Sequence, residues 1–171
     1  SAPATSTQNK NMNEQPPIKR HPAIVSFSKD HHFGLLLVWK IRHGLSHKVE
    51  PQRISNYVLY VFDEDLKKHF DDEEALLFIH LPENNDLRKR AEADHISIYK
   101  LVDAIRENSA DDSLLIQLAD LLETHIRFEE RELFNHLQNA ISSSDFAALA
   151  NRFPNDSKAI DERWDDIFWG N

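Results

Sequence analysis

Two segments of this chain, HFDDEEALLFIHL at 69–81 and HIRFEERELFNHL at 125–137, share seven of thirteen residues in register. The shared residues are His, Glu, Glu, Leu, Phe, His and Leu. A second match precedes each segment. Asp30-His31 is followed by Ile41-Arg42, and Asp94-His95 is followed at the same spacing by Ile105-Arg106. A chain built this way folds as two related helical hairpins. Each hairpin carries one His on its first helix and a His-x3-Glu pair on its second.

The local signals agree. Four long stretches are rich in Glu, Leu, Lys, Ala and Ile, with no alternating pattern to suggest strands. The first is expected from about Ser26 to Ser46, capped by Ser26 or Ser28. The second runs from about Pro51 to His80 and closes at Pro82. The third follows Asn84 or Asn85 and ends near Asn108. The fourth follows Asp111 and runs to about Ile141. Such caps and stops are the usual ones. Connections of a few residues make neighbouring helices antiparallel. The expected fold is therefore all-α, an up-down-up-down antiparallel four-helix bundle over residues 21–141. A C-terminal extension, 142–171, holds a short helix expected from Ser144 to Pro154 and an aromatic tail with Trp164, Phe168 and Trp169. Residues 1–20 are polar, contain Pro16-Pro17 and lack periodicity, so they read as a disordered leader. The leader is either a cloning remnant ahead of a native start at Met12 or the product of a cleaved export signal.

Helical rise places the histidines. At about 1.5 Å per residue, His31, His69, His95 and His125 lie at matched distances on either side of each turn, within roughly 3 Å of one height. His69 with Glu73 and His125 with Glu129 are i, i+4 pairs, so each pair shares a helix face. Four imidazoles and two carboxylates then converge on one layer of the core. Such groups do not belong in an apolar interior without a partner. Imidazole with carboxylate suits iron, manganese or zinc. Six ligands exceed one tetrahedral zinc, and two ions fit better, with two histidines on each and both glutamates bridging.

Composition excludes the main competitors. The chain has 171 residues with 20 basic and 29 acidic side chains, a formal charge of −9. No basic patch exists to bind nucleic acid. There is no cysteine, which removes disulfides, thiolate metal sites and cysteine nucleophiles together. Three glycines leave no phosphate-cradling loop. No apolar run reaches the length of a membrane span, and a cytoplasmic location is expected. A ferritin-like carboxylate site needs Glu-x-x-His on two helices, but only Glu92-x-x-His95 occurs at a candidate ligand histidine.

With these residues in place, the chain resembles the hemerythrin-like, or HHE cation-binding, domain over about residues 24–141. The family pattern of His, H-x3-E, His, H-x3-E stands here as His31, HFDDEEALLF, His95 and HIRFEERELF. The resemblance implies a non-haem di-iron centre that binds or reacts with dioxygen, peroxide or nitric oxide, as sensor, scavenger or weak oxidase. An iron-responsive signalling module, in which metal stabilises the fold, is the alternative it implies. Two departures matter. The oxygen carriers place a second His one turn after the helix-three His, where this chain has Tyr99. They use His-x4-Asp on helix four, where this chain has His125-x3-Glu129. Six ligands in place of seven leave both ions more open, which favours oxidant chemistry over reversible carriage. Tyr99, one turn from His95, is expected to hydrogen-bond or ligate the metal or its bound ligand.

The remaining candidates read more plainly. His32 competes with His31, but the repeat and the shared face with Val38 and Ile41 favour His31. His43 and His47 read as exposed residues at a helix C-terminus, His80 and His136 as packing at the bundle end, and His21 as linker. Glu74 and Glu130 are expected to be solvated or to pair with Arg127, Arg131 or Lys68. The tail is expected to dock on the bundle or to meet a protein partner or a second copy.

Overall fold

The computed structural model describes residues 20–150 and 160–170. The described residues form an all-helical bundle without strands. Its α-helices are α1 (Pro22–Ser46), α2 (Pro51–Val61), α3 (Lys67–Asp72), α4 (Asp86–Glu107), α5 (Asp112–Phe128), α6 (Phe134–Ala140) and α7 (Ser143–Ala150). None of them is long and apolar enough to cross a membrane.

The third stretch starts at the expected caps, and the fourth likewise. Asn85 accepts from the Arg88 amide at 3.0 Å, and Asp111 from the Ser113 amide at 2.9 Å. The first stretch differs from expectation. It begins at Pro22, and neither Ser26 nor Ser28 caps it. His21 does, its ring nitrogen accepting from the Ala23 amide at 3.2 Å. Proline is at home in a first helical turn, so the helix starts a turn earlier than the serines suggested. His21 is thus structural rather than linker, and its ring stacks on Phe146 at 4.4 Å. At the other end of α1, Lys48 takes a positive φ of 56°, and the Val49 amide returns to the Gly44 carbonyl at 2.9 Å. This left-handed stop turns the chain into Pro51.

The second and fourth stretches are not continuous α-helices. The second passes from α2 through a π turn at Phe62–Leu66, α3, a π turn at Glu73–Leu77 and a 3-10 turn at Phe78–His80. The fourth passes from α5 through a π turn at Glu129–Leu133 into α6. Each π turn closes with an i→i+5 bond, from Lys67 to Phe62, Phe78 to Glu73 and Phe134 to Glu129. The extension helix spans Ser143–Ala150, and its expected end at Pro154 lies outside the described residues.

Apolar side chains form two clusters. One holds Leu37, Ile41, Ile54, Val58, Ile98, Val102, Leu115 and Leu122 among others. The second holds Ile24, Phe27, Leu77, Phe78, Ala91, Phe128, Leu133 and Phe134 among others. The four matched histidines lie along the chain between them, so a polar layer interrupts the apolar interior. Gly34, three residues past His31, lets α1 approach α5, because a Cβ there would meet Ile126 Cδ1 at 2.6 Å.

The tail docks on the bundle as a strap across α1 and α2. Asp161 accepts from the buried Lys40 ammonium at 2.7 Å and from the Tyr57 hydroxyl at 2.6 Å. Tyr60 donates to the Ile160 carbonyl at 2.7 Å, and Arg53 forks onto Asp166 at 2.6 and 2.9 Å. Trp164 stacks on Tyr60, and Phe168 is buried in the first cluster beside Ile54 and Gly44. Truncating a buried Phe costs about 3–5 kcal/mol. Phe168→Ala is accordingly expected to lower the unfolding free energy by about 3 kcal/mol in denaturant titration. A loss under about 1 kcal/mol, as at an exposed position, would show that the strap contributes nothing to the core.

Candidate metal centre

Six of the eight side chains singled out in the sequence meet in the polar layer. Glu73, His95, His125 and Glu129 are 0% exposed, and His31 and His69 are buried. His31 comes from α1, His69 from α3, His95 from α4 and His125 from α5. Glu73 and Glu129 each open a π turn. Such turns recur at functional sites, because the extra residue re-aims the side chains that follow.

Every histidine presents Nε2 inward. His69 Nε2 lies 2.6 Å from Glu73 Oε1, and His31 Nε2 lies 3.5 Å from the same oxygen and 3.5 Å from Glu129 Oε2. His95 Nε2 lies 3.2 Å from Glu73 Oε2 and 3.8 Å from Glu129 Oε1, which also touches His125 Nε2. The donors thus sort into two sets. One is His31, His69, Glu73 Oε1 and Glu129 Oε2. The other is His95, His125, Glu73 Oε2 and Glu129 Oε1. Each carboxylate reaches into both.

Every Nδ1 faces outward to a carboxylate. Asp30 takes His69 at 3.1 Å, Asp94 takes His125 at 2.9 Å, Glu74 takes His95 at 3.2 Å and Glu130 takes His31 at 2.6 Å. The aspartates serve the histidine of their own hairpin and the glutamates that of the other. Glu74 and Glu130 therefore do not pair with Arg127, Arg131 or Lys68, and instead orient the rings. Glu130 is further held by Arg20, which also donates to Ser28 at 2.8 Å. These four carboxylates were visible in the sequence as repeated Asp-His and Glu-Glu pairs, but their partners lie across helices.

With Nδ1 carrying the proton, all four Nε2 atoms and all four oxygens of Glu73 and Glu129 are buried without a hydrogen-bond partner. Eight lone-pair donors face one another, which is stable only around cations. The donor set fits metal ions of the imidazole–carboxylate type. The same atoms emerge as two groups close enough for metal, Glu73 with His95, His125 and Glu129, and His31 with His69 and Glu73.

The other candidates lie outside this layer. His32 is exposed. Tyr99 sets its ring edge-on to Phe62 and Phe70, and its hydroxyl is buried without a hydrogen-bond partner. Burial, then the charges of Asp71, Glu74 and Glu73, push its phenol up to about 12. At the end of α1, His47 is exposed and His43 half-buried, its ring stacked on Trp39 and tilted against His47. His136 is exposed and meets Asn85 at 3.3 Å, so it is not a packing residue.

Protons are the cations that serve when metal is withheld. Burial works against charge on every histidine, but the carboxylates outweigh it. Glu73 and Asp30 push His69 up to about 10, and Glu129 and Glu73 do the same for His95. His31 and His125 are raised as well, chiefly by Glu129. Against burial and the Glu73 charge, His125 and His31 hold Glu129 down at about 2. Stability from the raised histidines is full below their unfolded value of 6.5 and is lost as pH climbs toward about 10. Stability from Glu129 is present above 4.5 and is lost as pH falls toward about 2. The metal-free protein is therefore expected to melt highest at about pH 5–6 and lower at each step toward pH 10. An unchanged melting temperature over that range would show that the layer is not held by shared protons.

Residues 24–137 match the model of the hemerythrin HHE cation-binding domain. No curated protein and no solved structure matches the chain. The matched span covers all six converging side chains and most of the bundle. The chain belongs to the hemerythrin HHE cation-binding family.

Proposed function

We propose that this chain is a non-haem di-iron protein that binds or reacts with dioxygen or a related small oxidant, peroxide or nitric oxide, as sensor, scavenger or weak oxidase. The observation that carries the reading is the division of eight inward donors into two sets of two nitrogens and two oxygens. His31 and His69 would hold one ion and His95 and His125 the other, with Glu73 and Glu129 shared. In the same reading the four long stretches run up, down, up and down, which brings one ligand height to all of them.

Iron held there would supply reversible electron transfer and coordination positions that four protein atoms leave open. The chain's own residues do the rest. Asp30, Asp94, Glu74 and Glu130 hold the Nδ1 protons and so keep each Nε2 lone pair aimed inward. Phe27, Phe70, Phe78 and Phe134 wall the layer with fully apolar surface and exclude water. Tyr99 keeps a neutral hydroxyl at neutral pH, since burial raises its pKa, and brings a hydrogen-bond donor to the wall beside Phe70.

Elemental analysis of protein expressed with iron and purified without chelator is expected to find close to two irons per chain. Glu73→Gln and Glu129→Gln are each expected to reduce that number. One zinc per chain with full folding would overturn the shared site. Tyr99→Phe is expected to change the visible absorption of the iron-loaded protein in the presence of azide or nitric oxide. Identical spectra would remove Tyr99 from the ligand pocket.

The buried lone pairs also favour a second reading, an iron-responsive module in which metal stabilises the fold for a partner to read. It requires loaded protein to melt well above metal-free protein at pH 7, and equal melting would end it.

A further inference from the structure

The π turns at Glu73–Leu77 and Glu129–Leu133 are related by the repeat and belong to the metal layer. The π turn at Phe62–Leu66 belongs to neither. Its counterpart, 56 positions on at 118–122, is ordinary α-helix within α5. The extra turn carries Asp65, where the second hairpin has Leu121. A distortion that only one half of a repeat maintains calls for a local purpose.

Asp65 lines a cavity of about 180 Å³ between α1, α2 and the strap. Phe33, Leu36, Leu37 and Val61 supply its apolar lining, and Ile160 and Asp161 of the strap its outer wall. Cavities of ~150 Å³ take a benzene ring, so the space accepts one small ring with a short substituent. Asp65 is half-buried and has no hydrogen bond or ion pair among the described residues. Burial and then the charge of Asp30 raise its pKa, against the opposing charges of His69 and Lys68.

Lys40, the one cation among the described residues that line the cavity, cannot serve an incoming anion. Lys40 is 3% exposed and gives two of its donors to Tyr57 at 2.8 Å and Asp161 at 2.7 Å. Its charge also faces the rings of Trp169 at 4.0 Å and Tyr57 at 5.0 Å. The uncommitted group is the carboxylate.

We propose that this cavity binds a small organic cation, a primary amine on a single apolar ring, with its ammonium on Asp65 and its ring against Phe33, Leu36, Leu37 and Val61. An ammonium would supply the missing ion-pair partner, and the ring would fill apolar space that water fills poorly. The site is separate from the metal ligands and stands whether or not the oxidant reading holds.

Isothermal titration of the full-length, metal-loaded protein with benzylamine, benzyl alcohol, toluene and benzoate tests this. Benzylamine is expected to bind saturably and at least tenfold more tightly than the other three. Asp65→Asn, nearly the same shape, is expected to weaken benzylamine by about tenfold or more while leaving metal content and melting temperature unchanged. Leu36→Phe, which fills the cavity, is expected to weaken benzylamine and toluene together. No saturable benzylamine binding to the parent protein would overturn the proposal. So would benzoate or toluene binding as tightly as benzylamine, or an Asp65→Asn variant that binds benzylamine as the parent does. Metal content measured on the same samples separates this outcome from failure of the di-iron reading.

Discussion

Eight buried lone pairs pointing at one another are the constraint on which the rest of this structure depends. Four imidazole nitrogens and four carboxylate oxygens sit between two apolar clusters, with no donor among them in the neutral state. Uncompensated, each would cost on the order of 1–3 kcal/mol, which together is as large as the usual stability of a domain or larger. The layer therefore requires cations, protons or metal. The outer carboxylates decide which atoms remain available to them. By taking every Nδ1 proton, Asp30, Asp94, Glu74 and Glu130 leave Nε2 as the inward atom on all four rings.

The crossing of these outer contacts also ties the two halves together. Asp30 and Asp94 act within their hairpins, while Glu74 and Glu130 each reach the histidine of the other. A hairpin alone would hold two histidines and one inward carboxylate, with one ring lacking its orienting partner. Pairing the hairpins completes both rings at once. The Glu-Glu dipeptide is suited to this because neighbouring helical residues point about 100° apart, so Glu73 and Glu129 turn inward as Glu74 and Glu130 reach sideways. The π turns that start at the inward glutamates add a residue there and let Leu77 and Leu133 return to the apolar cluster below.

Much of this was legible in the sequence because it rests on periodicity. The repeat, the i, i+4 pairs and the equal heights follow from helical geometry alone, and they single out the six side chains that the fold brings together. What escaped depends on contacts between helices. Nothing local distinguishes the Glu73–Leu77 π turn from α-helix, since both use the same helix-forming residues. The aspartates before His31 and His95 were seen as part of the repeat, yet their partners, His69 and His125, lie on another helix. The serines near the start of α1 outweighed Pro22 because cap preferences are strong priors, but tertiary contacts of Ile24 and Phe27 favour the longer helix. The aromatic tail could not be placed from periodicity, having none. Its position is set by single contacts, Asp161 with Lys40 and Asp166 with Arg53.

The same repeat makes the differences between halves informative. Glu130 is bound by Arg20 as well as by His31, whereas Glu74 has His95 alone among its hydrogen-bonded partners. The Glu130 contact to His31 is 2.6 Å against 3.2 Å from Glu74 to His95, so the two rings are oriented by bonds of unequal strength. The first half also carries the extra π turn with Asp65 and faces the strap, while the second half faces α1 through the close approach at Gly34. Two sets of donors that match in identity thus differ in their orienting bonds and surroundings. Two ions bound to them would be alike in ligands and unlike in setting. An approximately symmetric bundle can in this way present two chemically distinct positions without changing a single inward-facing residue.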